Sequence, residues 1–506
     1  MAPFSSPGLP AHPLRNRVLV LAGIAGIGLY AALIIFHVAA VPGGADSAGY
    51  FIHARMLASA TVHAQARELP GLPAAAAPGY LYVPLGLKPA PKGPGLVPYY
   101  STGFPLLMVA AEHLVGWRHS ADFVLVLHGV LGLVLTWLLA SALGMPTSWA
   151  IVAMAILAAS PLYLMYSLQA MSDVPAMVWV TAAVLASLYA IDRERWALAA
   201  GAAFAGAVLI RPANVLGLAP LAIALSWPSR GWPGALRRWL WFGLGGLPGA
   251  TFFMLDSRAA YGQWLGTGYG TLGPDFGFKW VMVTLAHDAH WLPILFTPVI
   301  VFVFALRWEG RLGPRICAVL GAWILAYVAF YSVYRFTHES WWYLRFLLPI
   351  GPALIVGGLM GLRRILPGRV VGLRPLIPLT LGMCAVLLAG HHWSRRLYAL
   401  SIPDQENIYL ETTGWLKANL PANAVVLCMQ TSGAVYYDTN FAILRWDEIN
   451  RGSLATVMAP LQASRRPLYA ALYPFEVEPA LKERVPGRWT QVGKVGIATI
   501  WRRDPE

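Results

Sequence analysis

The chain has 506 residues, of which 58% are hydrophobic and 12% charged; a soluble domain carries about 25% charged residues, so a cytosolic globular enzyme is excluded, as is a disordered or collagen-like chain. Lys and Arg number 37 against 23 Asp and Glu, a net charge of +14. In so apolar a chain this points to cytoplasmic loop bias and anionic headgroups, and not to nucleic acid, because no basic run is interleaved with aromatics.

Residues 1–14, rich in Pro, Ser and Ala, read as a disordered tail. The run 18–41, preceded by Arg15 and Arg17, is longer than the apolar core of a signal peptide and ends in no small-x-small site, so it is expected to stay as a first span. Further apolar runs fall near 121–145, 149–163, 174–191, 197–210, 215–227, 239–255, 291–306, 316–334, 344–362 and 375–391. A helix needs about 20 apolar residues to cross a bilayer, and these runs give about eleven transmembrane helices within a domain covering 15–392. With the N-terminus cytoplasmic, the short inner loops hold Arg193 and Arg195; Arg230, Arg237 and Arg238; Arg307, Arg311 and Arg315; and Arg363, Arg364, Arg369 and Arg374, as the positive-inside rule asks. The large loop 42–120, the loop 256–290 and the C-terminus then lie outside. From 393 to 506 the apolar runs shorten to strand length (424–429, 467–472, 495–501) and alternate with helical stretches (405–419, 454–464), which predicts a small extracytoplasmic α/β domain. The three cysteines, Cys317, Cys384 and Cys428, imply no disulfide framework, since two lie in apolar segments.

Acidic residues are scarce, so their positions carry information. Asp46 follows the first span in Gly44-Ala-Asp-Ser-Ala-Gly-Tyr50, where a helix is expected to start with Asp46 or Ser47 as its cap. Tyr50 and His53, four and seven residues on, share its face; Arg55 points elsewhere. Asp46 therefore reads either as a cap or as a reactive group. Lys88 and Lys92 are the only charges between 71 and 101; they either snorkel beside headgroups or clamp a phosphate. The apolar stretch after Tyr99-Tyr-Ser-Thr-Gly-Phe-Pro105 is too short to span and reads as an interfacial helix. Asp173 lies where one span exits on the outside and the next begins; Ser172 can cap the new helix and Pro175 is tolerated in its first turn, so a cap again accounts for much of this stretch. Arg211, and the group Arg335, His338, Glu339 and Arg345 around Trp341-Trp-Tyr343, sit at further outer ends. His338-Glu339 is no zinc-protease motif, because Trp342 stands where the second His is needed. The span interiors carry almost no charge, whereas solute pathways are marked by intramembrane charges. Chemistry at the outer interface is thus favoured over transport.

The ordered set of Gly44-Ala-Asp-Ser-Ala-Gly-Tyr-Phe-Ile-His-Ala-Arg55, Tyr99-Tyr-Ser-Thr-Gly-Phe-Pro-Leu-Leu107, Ser160-Pro-Leu-Tyr163, Met171-Ser-Asp-Val-Pro175, Leu209-Ile-Arg-Pro212 and Tyr343-Leu-Arg-Phe-Leu-Leu-Pro349 resembles the GT-C superfamily of membrane glycosyltransferases. Within it the chain resembles bacterial relatives of protein O-mannosyltransferases and of the aminoarabinose lipid A transferase. The resemblance implies a polyprenyl-phosphate-linked sugar as donor and a first-loop acid as catalytic base or acceptor-orienting group, the position held by Asp46; Asp173 is expected as the second catalytic acid, an orienter or metal ligand. It implies basic outer-loop residues on the lipid phosphate, for which Lys88, Lys92, Arg211 and Arg345 are the candidates; Tyr50, His53, His338 and Glu339 complete the expected substrate-binding set. The chain departs from the pattern in having Ser47 after Asp46, where many relatives carry a second acid, and Ser101-Thr-Gly-Phe-Pro105 in place of a Pro-Pro stretch.

The expected reaction is transfer of one sugar to an acceptor hydroxyl on a glycan, lipid or protein at the outer face of the inner (plasma) membrane. The alternative is a lipid-linked sugar or polysaccharide flippase without catalysis. Metal dependence stays open: a divalent cation is allowed as cofactor, but no residue spacing demands one.

Overall fold

The computed structural model describes residues 13–93, 95–228, 231–270, 273–306, 313–366 and 376–504. Residues 1–12 of the expected tail and Arg230, Arg307, Arg311, Arg369 and Arg374 lie outside them; Pro13 and Leu14 already belong to the first helix, Pro13–His37. The chain divides into two compact units. One comprises Met1–Val38, Phe123–Phe252 and Thr271–Leu400; the other comprises Ala39–Asp122, Phe253–Gly270 and Ser401–Glu506. The large loop thus folds with the C-terminal segment, whereas the sequence reading assigned it to the transmembrane domain.

The long apolar runs read between 18 and 391 are largely helical over their described residues. Among the described residues, five helices are long and apolar enough to cross a membrane: Arg17–His37, Trp117–Ala142, Asp173–Ala190, Gly313–Ser332 and Trp341–Ile365. Two further pairs pass the same test but are bent, Thr147–Ala159 with Pro161–Ser167 by 65°, and Phe278–Leu295 with Pro298–Ala305 by 114°. Both breaks have a local cause. Ser160 is an extended N-cap whose Oγ accepts from the Tyr163 N–H at 3.3 Å, and Pro161 begins the new helix, where its missing N–H costs nothing. At the second break Thr297 adopts a φ of +68° immediately before Pro298. The runs at 197–210 and 215–227 form shorter helices, Trp196–Ile210 and Pro212–Ser226; at 1.5 Å per residue the first is about 22 Å long, below the ~30 Å of a bilayer core.

Inside the first unit, Asp173–Ala190 is largely buried and packs against Trp196–Ile210 and against the 3₁₀ segment Trp341–Ile350. The helix Trp196–Ile210 meets Gly231–Tyr261 backbone to backbone: a Cβ on Gly201 would stand 1.9 Å from the Phe242 carbonyl oxygen, and one on Gly245 2.0 Å from that of Leu198. Small residues permit such approaches where lipid supplies no hydrophobic drive.

The second unit holds a five-stranded sheet and a hairpin. The hairpin pairs β1 (Leu87–Pro89) with β2 (Leu96–Pro98). The sheet comprises β3 (Val425–Leu427), β4 (Ala442–Leu444), β5 (Leu468–Leu472), β6 (Trp489–Val495) and β7 (Ala498–Arg503), in the order β4-β3-β5-β7-β6. β3 is parallel to β4 and β5, while β7 is antiparallel to β5 and β6. The runs expected at 424–429 and 467–472 are β3 and β5. The run at 495–501 joins two strands across a tight turn, and β4 went unread. Val425 and Leu427 face one core while Val426 and Cys428 face another, so β3 reads as an unbroken apolar run. The first of these cores includes Leu69, Leu72, Leu81 and Tyr82 of the large loop. The helices expected at 405–419 and 454–464 are Ile402–Asn419 and Leu454–Ala463.

Gly245→Ala should lower the thermal stability of the detergent-solubilised protein by roughly 1–3 kcal/mol through overpacking. Gly243→Ala, on the same helix with nothing within 4 Å of the added Cβ, should be neutral or slightly stabilising. Fluorescence-monitored melting compares the two.

Candidate functional site

In the first unit, helix geometry brings three residues from distant parts of the sequence together. Asp173 is fully buried in the first turn of Asp173–Ala190, where the helix dipole favours a carboxylate. Its Oδ1 lies 2.8 Å from Arg211 Nη1 and its Oδ2 4.0 Å from Arg345 Nη1. Arg211 is the extended residue that ends Trp196–Ile210 ahead of Pro212, as expected for a residue that precedes proline. Its Nε donates to Ser172 Oγ at 3.0 Å. Ser172 therefore orients a guanidinium instead of capping the helix, since its side chain makes no cap hydrogen bond. Behind Arg211, buried Asn214 donates to the Ala207 carbonyl at 2.8 Å and accepts from Tyr327 Oη at 3.1 Å. Arg345, in Trp341–Ile350, lies 5.3 Å from the centroid of Phe346, 5.8 Å from Tyr166 and 5.9 Å from Tyr343, within cation–π range. Tyr166 is held in turn by donating to the Trp342 carbonyl at 2.9 Å.

His338 and Glu339 have other partners. His338 Nδ1 is 3.3 Å from Thr284 Oγ1 and its ring packs on Trp280. Glu339 pairs with Arg335 at 3.4 Å, and Arg335 also reaches Asp275 at 3.8 Å. Asp288, within the expected loop 256–290, is buried on the helix Val281–Leu295. Among the described residues, no three His, Cys, Asp or Glu side chains gather as a metal-binding set.

In the second unit, Asp46 lies in the first turn of Ala45–Ala58, whose N-cap is Gly44 with no side-chain cap. It hydrogen-bonds the Tyr100 side chain, whose pKa is raised, first by burial and then by the Asp46 charge. Tyr100 is brought there by glycines: Gly86, with φ +94°, lies so close to Gly49 that a Cβ on it would stand 2.4 Å from the Gly49 Cα. Tyr50 is buried between Tyr100 and Phe104, with ring centroids 5.4 and 5.1 Å away. His53 is buried too; desolvation pushes its pKa down to about 3, so it is neutral at physiological pH. Tyr50 and His53 thus underlie Asp46 as packing. Lys88 on β1 donates to the Gly268 carbonyl at 2.9 Å and lies over the Tyr261 ring. Lys92 is exposed between β1 and β2.

The structure adds one acid that sequence reasoning missed. Glu406, on Ile402–Asn419, has its Oε2 fully buried without a hydrogen-bond partner. Burial, then the charge of Asp46, raises its pKa to about 7. Its sequence context is a polar helix, where a glutamate looks like any solvated one.

Asp173→Ala strands a buried guanidinium and should cost about 3–5 kcal/mol. Glu339→Ala, which breaks a partly exposed pair, should cost about 0–1 kcal/mol. Denaturation of the purified variants in detergent measures both.

A family model described as dolichyl-phosphate-mannose-protein mannosyltransferase matches residues 115–253, a segment that contains Asp173 and Arg211. No curated protein matches the chain by sequence. Solved structures match over nearly its whole length. ArnT from Cupriavidus metallidurans bound to undecaprenyl phosphate aligns with TM-score 0.59 at 13% identity, covering 98% of this chain and 100% of that one. The oligosaccharyltransferase of Archaeoglobus fulgidus, tethered to an acceptor peptide, aligns with TM-score 0.53 at 11% identity over 92% of this chain and 70% of that one. The mycobacterial arabinofuranosyltransferase AftD gives TM-score 0.53 at 15% identity over 99% of this chain and 42% of that one. The chain thus shares its fold with these solved glycosyltransferases and, among its described residues, carries helices long and apolar enough to cross a membrane.

Proposed function

We propose that the protein transfers a sugar from a polyprenyl-phosphate donor to an acceptor hydroxyl on a glycan, lipid or protein, at the extracytoplasmic face of the inner membrane. The observation that carries this reading is the convergence of Arg211 and Arg345 on buried Asp173. A fold hosts many activities, but two preorganised guanidiniums in an apolar unit suit a phosphate. Support comes from the undecaprenyl phosphate held by the similarly folded ArnT.

In this reading the acceptor oxygen attacks the sugar anomeric carbon and loses its proton to Asp46. The bond from that carbon to the phosphate oxygen breaks, and its electron pair stays on the leaving polyprenyl phosphate. A carboxylate base helps because a hydroxyl is a poor nucleophile. Fixed cations stabilise the charge gained by the leaving phosphate, at no reorganisation cost during the reaction. Asp173 holds the two arginines in place. Lys88 and Lys92 are secondary phosphate candidates, Lys92 being the more accessible. With about eleven crossings and the Arg-rich short loops inside, this reading has the N-terminus in the cytoplasm and residues 393–506 outside.

Asp46→Asn should lower transfer of radiolabel from polyprenyl-phosphate sugars in isolated membranes by about 10²–10⁴-fold, with the donor KM little changed. Arg345→Ala should raise the donor KM. Full activity in Asp46→Asn refutes the base assignment, and an unchanged donor KM in Arg345→Ala refutes that residue's phosphate role.

A further inference from the structure

Glu406 approaches the start of the Asp46 helix through a gap that only glycine leaves. A Cβ on Gly43 would lie 1.8 Å from Glu406 Oε2, three residues ahead of Asp46. The surroundings are built of polar side chains. Tyr409, one helical turn on from Glu406, accepts from Gln430 Nε2 at 2.7 Å, and its ring packs against Tyr473 at 5.5 Å. Glu476 lies beyond them and accepts from the backbone N–H groups of Gln430 and Tyr473 and from the Trp446 indole. The titratable groups that interact with Glu406 are thus Asp46, Tyr409 and Tyr473, and Asp46 is hydrogen-bonded to Tyr100.

We infer that Glu406 is a positioning residue that acts through Asp46: the two carboxylates form one coupled acid pair, supplied by separate stretches of the chain, and the pair is the proton acceptor. The inference rests on the assignment of Asp46 as base. An isolated aspartate with an ordinary pKa near 4 is a weak base at neutral pH. Two neighbouring carboxylates titrate in two steps that belong to the pair, the second raised by the first charge. Burial and Asp46 put the Glu406 proton at about 7, where a general base is most effective. In the doubly ionised pair the acceptor hydroxyl proton is received by Asp46, whose affinity for it is raised by the Glu406 charge; it then passes to solvent as product leaves.

The test is the pH profile of transfer, from pH 5 to 9, by the full-length protein in membranes supplied with radiolabelled undecaprenyl-phosphate hexoses and pentoses. The wild-type rate should climb through pH about 7. Glu406→Gln keeps shape and hydrogen bonding but removes the second charge. It should flatten that limb and lower kcat at pH 8 on the order of tenfold. Gly43→Ala, which only has to displace the mobile end of Glu406, should do the same. A second readout needs no donor. The folded pKa of Glu406 is raised above its ordinary 4.5, so its contribution to stability is complete below about 4.5 and is lost as pH rises through about 7. The melting temperature should therefore drop across that window in the wild type, and the drop should shrink in Glu406→Gln. An unshrunken drop overturns the buried pair. A shrunken drop with an unaltered activity profile overturns the role of Glu406 in proton transfer, leaving Asp46 as base. Full activity in Asp46→Asn overturns the base assignment itself.

Discussion

A buried charge in an apolar protein must be paired, and the first unit is organised around that constraint. Moving an ion from water into a low-dielectric interior costs several kcal/mol even after relaxation. Asp173 is fully buried, so its helix start, the end of Trp196–Ile210 at Arg211 and the 3₁₀ segment bearing Arg345 must come together. Ser172 and the aromatic rings around Arg345 then satisfy further parts of the guanidiniums. Geometry that meets the electrostatic demand also yields a rigid cationic group, which is what recognition of a phosphate requires.

The second unit answers a different constraint, the need to cover a sheet. β3 is apolar on both faces, and one of its cores is completed by Leu69, Leu72, Leu81 and Tyr82. The large loop, rich in Pro and Gly, contributes these side chains to that core and buries a smaller cluster of its own, Ile52, Met56, Val83, Leu87 and Leu96. A consequence for chemistry follows. Once the loop and the C-terminal segment share a core, Asp46 from one and Glu406 from the other enter the same electrostatic environment.

The polar residues singled out in the sequence divide by what packing does to them. Asp46, Asp173, Arg211 and Arg345 occupy positions with chemical potential. Tyr50 and His53 share the helix of Asp46, yet burial makes them packing residues, and desolvation keeps His53 neutral. His338 and Glu339 are near Arg345 in sequence but engage Thr284 and Arg335. Neighbourhood along the chain and residue type are shared by both groups; only the direction of each side chain separates them.

Sequence alone determined that the chain is polytopic and helical, with a small α/β segment at its end, because hydropathy over about 20 residues and strand-length apolar runs are local properties. It also singled out Asp46, Asp173, Arg211 and Arg345, since charges are rare in so apolar a chain. Tertiary structure alone joined residues 39–122 to the C-terminal segment, turned Ser172 from cap into arginine ligand, and brought Glu406 against Gly43. Those outcomes depend on contacts between residues tens to hundreds of positions apart, and a buried glutamate on a polar helix has the same local sequence as an exposed one until the partner that buries it is in place.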